Sequence, residues 1–209
     1  MLTEAEDLVR RHMAQYDPSH DWAHVDRVRR TALRIATTVH PAPDMLVVEL
    51  VALFHDLAVP AKYGPTDALE TTLEPFFQSA TSSGSLTLAQ QTLVLKIIPN
   101  ISWSTEKKLR SQGAWSEWHK TCSELHAVQD ADRLDAIGAV GILRCAAYSG
   151  AKGRKLVADE IGDDTAESHF GDKLLLIKDR MKTAWGREEA LKRHETVWCL
   201  NTQHHGMSN

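Results

Sequence analysis

What this 209-residue sequence lacks bounds it first. No segment approaches the ~20 apolar residues that cross a bilayer, and the start MLTEAEDLVRRHMA is amphipathic and charged, without the apolar centre of a signal peptide. A cytoplasmic protein with no membrane partner is expected. A basic excess is also missing: 24 Lys and Arg stand against 28 Asp and Glu, which argues against a partner as large as a nucleic acid. Cysteine is scarce, and Cys122, Cys145 and Cys199 are odd in number and widely spaced. Reduced packing thiols are expected there, not a disulfide or zinc site. No internal repeat or long linker divides the chain.

No strand pattern competes with helical periodicity. The reading is an all-α, single-domain fold over residues 1–200, with 201–209 as a flexible tail. Helices are expected over 3–15 and about 20–39, where Ser19 or Asp21 can cap the second and Pro41 and Pro43 stop it. Asp44 can cap a third, MLVVELVALFHD, which is apolar almost all round and so should be central. Later helices are expected through Phe77, over 88–98, just past Ser104, over 115–127, as one long helix over 128–148, and over 167–184 and 187–200. Glycines 138 and 141 inside the long helix weaken it, so close packing should compensate.

Three separated pieces of the chain carry metal chemistry: His24 in SHDWAHVDRV, the pair His55-Asp56 in ALFHDLA, and the carboxylates of VQDADRLDAIGA. Two imidazoles with two carboxylates suit a divalent ion of intermediate hardness and leave positions for water and a phosphate oxygen. Adjacent helical residues point about 100° apart, so His55 and Asp56 can meet one ion only where their helix ends or distorts, or where Asp56 bridges from the side. In DADRLDA, Asp132 and Asp135 share a face and Asp130 lies about 200° from Asp132, so the three are not equivalent. Asp130 rivals Asp132 as a ligand and otherwise stands behind the ligands to orient them, and Asp135 reads as a support there or a partner for a basic residue. His20 and Asp21, one turn before His24, either sit near the metal or cap the helix.

In order and context these residues resemble the HD-domain metal-dependent phosphohydrolases: a histidine that opens His-x-x-Arg-Val, then a His-Asp pair, then a distant aspartate in Ala-Asp-Arg-Leu. The stretches HDWAHVDRVRRTAL, QDADRLDAIGAVGI, AYSGAKGR and SHFGDKLLLIKDRM extend the likeness to the short YedJ/YpgQ-type branch over most of residues 17–196. The resemblance implies His24, His55, Asp56 and Asp132 as metal ligands. It also implies a manganese ion, with magnesium, iron, cobalt or nickel as substitutes, and hydrolysis of a small nucleotide such as a nucleoside or deoxynucleoside triphosphate.

Catalytic roles fall to Asp56 and Lys62 on this reading, because a fixed cation stabilises charge on a leaving phosphate. Substrate contacts are expected from Arg27, which either points toward bound phosphate or braces a ligand carboxylate, and from Lys62, Arg133, Lys152, Arg154, His169 and Lys173. Lys107, Lys108 and Arg110 read as a solvated charge run, and Trp103 is the tryptophan to test for ligand contact. Two other classes stay open: a di-iron oxygenase drawing extra ligands from His20, His119 or His126, and a regulatory module that keeps metal and nucleotide without turnover.

Overall fold

The computed structural model describes residues 1–57, 69–157 and 165–205, and among these no strand occurs. Helix α1 (Leu2–Met13) buries Ala5, Val9 and Met13, a four-residue spacing that presents one apolar face. A 3-10 turn, Pro18–His20, leads into α2 (Trp22–Ala36), which buries Val25, Val28, Ala32 and Ile35 along the same kind of stripe. Helix α3 (Met45–Phe54) is capped by Asp44, whose side chain accepts from the amides of Leu46 and Val47. Seven of its ten residues are buried. With each large side chain contributing about 1.5–3 kcal/mol on burial, α3 is the central rod that the sequence pattern anticipates, packed by α1, α2 and later helices.

The chain continues as α4 (Leu69–Ser82), α5 (Leu88–Ile97), a 3-10 turn Ile98–Asn100, α6 (Trp103–Ser111), α7 (Glu117–Thr121), α8 (Ser123–Asp135) and α9 (Gly138–Ala151). A short α10 (Ser168–Asp172), a 3-10 stretch Leu174–Arg180 and α11 (Ala184–His205) follow. Helix α8 packs on α2 and α3 and is buried almost all round, yet it carries Gln129, Asp130, Arg133 and Asp135 inward. Polar groups buried that deeply need partners.

The expected long helix over 128–148 is two helices. Gly138 adopts φ +76°, which breaks the α-helical run, and a β-carbon on Gly141 would overlap the Ala136 carbonyl. The glycines thus mark a sharp turn between α8 and α9, where periodicity alone suggested a packed helix interior. Similarly, residues 167–184 form a short helix and a 3-10 stretch, and α11 starts earlier and ends later than its expected span.

Candidate metal centre and cavity

The start of α2, the end of α3 and the last turn of α8 meet at one point. Asp21 caps α2 by accepting from the His24 amide at 2.9 Å, which sets His24 in the first turn facing inward. Helix α3 ends at Phe54; His55 keeps helical angles (φ −58°, ψ −31°) while Asp56 lies in the turn beyond it. Ending the helix there lets two neighbours in sequence face the same place.

His24 Nε2 stands 3.2 Å from His55 Nε2 and 3.3 Å from Asp56 Oδ2. Asp132 Oδ1 lies 3.8 Å from His24 Nε2 and 3.9 Å from His55 Nε2. The far side of each ring is already committed. His55 Nδ1 donates to the Ala52 carbonyl at 2.8 Å, and His24 Nδ1 donates to Asp135 Oδ2 at 2.7 Å. With both protons on Nδ1, both Nε2 lone pairs point at each other and at two carboxylate oxygens. Such atoms repel unless a cation sits among them, and donors bonded to one first-row ion at about 2.0–2.2 Å lie roughly 3–4 Å apart. His24, His55 and Asp132 place ligand atoms within 4.8 Å of one another, the one such group among the described residues.

The electrostatics agree. Burial, the largest influence, and the Arg144 charge favour a neutral His24, but the hydrogen bond to Asp135 and the negative charge of Asp56 outweigh them and raise its pKa. The centre therefore attracts positive charge. Asp135 is held well below the usual carboxylate range: burial pushes it up, and hydrogen bonds from His24 and Arg27 overcome that.

Asp132, a third exposed on its side chain, also lines a cavity of about 530 Å³. His20, Trp103, Arg133, Arg144, Tyr148 and Arg154 line it too, with His169, Lys173 and Arg180. Asp132 is the single carboxylate among these lining residues.

No family model matches the chain. The uncharacterised protein YpgQ of Bacillus subtilis strain 168 is 37% identical over 196 residues, 92% of this chain and 88% of that protein. A crystal structure of an HD-superfamily hydrolase from Bacillus thuringiensis matches with a TM-score of 0.70 at 29% identity, covering 97% of this chain and 94% of that one. The chain belongs to the HD superfamily. The crystal structure of B. subtilis YpgQ in complex with ADP aligns over 100% of this HD-superfamily protein and 98% of YpgQ, with a TM-score of 0.74 and 31% identity.

The predicted site residues of this HD-superfamily chain separate into groups. His24, His55, Asp56 and Asp132 converge, with Asp135 directly behind His24 and His20 at the cavity, its ring 5.8 Å from that of His24. Arg154, His169 and Lys173, expected as substrate contacts, line the cavity. Arg133 lines it as well, but its guanidinium donates to Glu106 and to the Arg180 carbonyl, both at 2.6 Å. Lys62 lies outside the described residues.

Three placements correct the sequence reading, and a fourth, at Asp21, decides between the two it left open. Arg27 does not reach the cavity; its Nε and Nη2 grip the two oxygens of Asp135 at 2.7 and 3.0 Å. Lys152 is exposed at the end of α9, with its ammonium 5.7 Å from the Tyr148 ring centre and outside the cavity lining. Asp21 serves as a cap, not as a metal neighbour. Asp130 is neither ligand nor support for one: fully buried, it accepts from the amides of Lys182 and Thr183 and from the Thr183 hydroxyl at 2.7–3.1 Å. It faces the opposite side of α8 from Asp132, as their spacing requires.

Two of the three extra histidines suggested for a di-iron site are engaged elsewhere, while His20 stays at the cavity. His119 pairs with Ser116 and Asn100 and stacks on Trp115, while His126 donates to the His119 carbonyl. Arg144 was missed altogether. It reaches from α9 to the Ser19 carbonyl at 2.7 Å and to Asp135 Oδ2 at 3.1 Å, a contact across 125 residues that no local pattern announces. The three cysteines are free thiols.

Proposed function

We propose that this chain is a metal-dependent phosphohydrolase of small nucleotides, with a nucleoside or deoxynucleoside triphosphate as substrate. The observation that carries the reading is the joining, through Asp132, of a four-donor centre to a cavity whose other charged walls are cationic. His24, His55, Asp56 and Asp132 would hold one divalent ion, and a mixed nitrogen and oxygen set favours manganese over a purely oxygen-seeking ion, with magnesium, iron, cobalt or nickel as substitutes. When bound, such an ion acidifies a water and polarises a phosphoryl oxygen.

The chain's own residues supply the rest. Asp135 and the Ala52 carbonyl fix both imidazoles with Nε2 turned to the centre. Arg27 and Arg144 clamp Asp135 and keep it ionised. Asp56 orients the attacking water, and Arg154, His169 and Lys173 receive the phosphates, joined by Lys62. The volume suits a nucleotide-sized ligand, and the ADP complex of YpgQ supports that class.

The test is metal-depleted protein re-supplied with each ion in turn and screened against nucleoside mono-, di- and triphosphates, with phosphate and pyrophosphate detected separately. Manganese-dependent turnover of triphosphates is expected. ADP binding without turnover under any ion would reduce the protein to a regulatory nucleotide-binding module.

A further inference from the structure

Arg180 ends the 3-10 stretch Leu174–Arg180 and lines the same cavity as Asp132. Its guanidinium carbon lies 4.0 Å from the centre of the Trp103 ring, a contact that holds a flat cation against a flat surface. Its backbone is pinned on both sides of the residue that follows. The Arg180 carbonyl accepts from Arg133 at 2.6 Å, and the next amides but one, Lys182 and Thr183, bind Asp130.

The charges around it do not balance. Glu106 is the buried carboxylate behind this wall, and it already accepts from Arg133, Lys182 and Arg110. Arg180 forms no ion pair among the described residues, and burial followed by the Arg133 charge holds its pKa below the ordinary value. Beside it, Arg133 is 5% exposed, and its buried Nε–H has no acceptor. Buried donors without acceptors are rare in folded proteins. An excess cation and an unused buried donor therefore lie on one wall.

We infer that Arg180, set in place by Trp103 and flanked by Arg133, is an anchor for a phosphate group of the ligand, separate from the four-donor centre. The inference rests on the reading that the cavity takes a phosphorylated ligand. Phosphate matches the fork of a guanidinium through paired, charge-assisted hydrogen bonds. Trp103 acts as a positioning residue, since Arg180 covers a face of its ring.

Calorimetric binding of ADP and of adenosine to metal-loaded protein tests the assignment. Arg180→Ala should weaken ADP binding by about 10- to 100-fold, the range for a hydrogen bond to a charged group, and leave adenosine affinity and bound metal unchanged. Arg180→Lys keeps the charge but not the fork and should fall between; added guanidinium ion should restore part of the loss in Arg180→Ala. Trp103→Phe should weaken ADP binding by a few-fold and leave the metal in place. Unchanged ADP affinity in Arg180→Ala overturns the anchor. So does an equal loss of adenosine and ADP, which marks a base contact, or the absence of ADP binding by the unaltered protein. Should the alanine variant misfold by circular dichroism, the lysine variant decides on the same readouts. If the expected pattern holds but no nucleotide is hydrolysed, the phosphohydrolase reading fails and the anchor stands; if nucleotides are hydrolysed and Arg180→Ala keeps its ADP affinity, the reverse is true.

Discussion

Glu106 and Asp56 are both carboxylates with almost no surface exposed, 1% and 4%, and their surroundings are opposite. Around Glu106 the chain brings three cations, so that burial, which pushes its pKa up, loses to the hydrogen bonds from Lys182 and Arg133 and the carboxyl falls to about 2. Around Asp56 it brings two imidazole nitrogens whose protons are committed on the far side of each ring, together with Asp132. One cluster satisfies its carboxylate from within the fold. The other gathers electron-rich atoms around a place that suits a cation. A buried ionic cluster is therefore not in itself a functional site; the sign of what is left over distinguishes the two.

The largest effect that bears on this contrast is loss of the centre. His55→Ala or Asp56→Ala should remove bound metal and bring hydrolysis below detection, while circular dichroism keeps the helical signature and the metal-free protein melts no lower than the unaltered metal-free protein, because repelling atoms have been removed. Stoichiometric metal with normal turnover would break the comparison at its root.

Glu106→Gln should do the converse. It leaves Arg133 and Lys182 beside a neutral group and should cost about 3–5 kcal/mol of stability while bound metal is retained, as read by chemical denaturation beside metal analysis. The same carboxylate sets an acid limit. Its folded pKa of about 2 lies below the ordinary 4.5, so its stabilisation is fully present above pH 4.5 and disappears as pH falls toward 2, a loss of about 3 kcal/mol. Asp135, also depressed, loses its contribution in the same direction. Glu106→Gln should therefore flatten the stability profile between pH 4.5 and 2, and an unaltered slope there would show that Glu106 is not the group responsible.

Asp135→Asn tests the support behind His24. An amide accepts less strongly from Nδ1 and loses the charge that Arg27 and Arg144 grip. Metal affinity should fall by about 10- to 100-fold, the usual cost of removing the partner of a metal-binding histidine. Metal titration on folded protein decides it.

The contrast also marks what was legible before the fold was known. The four-donor centre could be read because its residues sit in recognisable local contexts, and the apolar run ending in His55-Asp56 announced both a central helix and the place where it stops. The Glu106 cluster could not. Glu106 lies 27 residues from Arg133 and 76 from Lys182, and each looks like an ordinary charge on an amphipathic helix until the helices pack. The turn at Gly138 was hidden for a related reason: periodicity counts residues per turn and is blind to a positive φ. Arg27 was read toward phosphate or as a brace on a carboxylate, because a cation three residues from His24 fits either role, and only the arrival of Asp135 from α8 fixes which.

The smallest expected effect on metal is the sharpest test of that lesson, because it concerns two aspartates on one helix. Asp132→Asn should lose metal strongly, since a neutral amide is a poorer ligand and α8 cannot turn to offer a replacement. The sequence alone allowed Asp130→Asn a modest loss through orientation of the ligands. The structure removes even that, because both Asp130 oxygens are used by Lys182 and Thr183. Burial raises the pKa of Asp130 against those backbone bonds, so part of the cost of its charge is already carried by the fold. An asparagine there keeps one acceptor oxygen and turns an NH2 toward donors, which should cost about 1–3 kcal/mol of stability by loosening the start of α11, with metal affinity unchanged. A drop in metal affinity for Asp130→Asn that matches or exceeds that of Asp132→Asn, measured on folded protein, would mean that the two faces of α8 have been assigned the wrong way round.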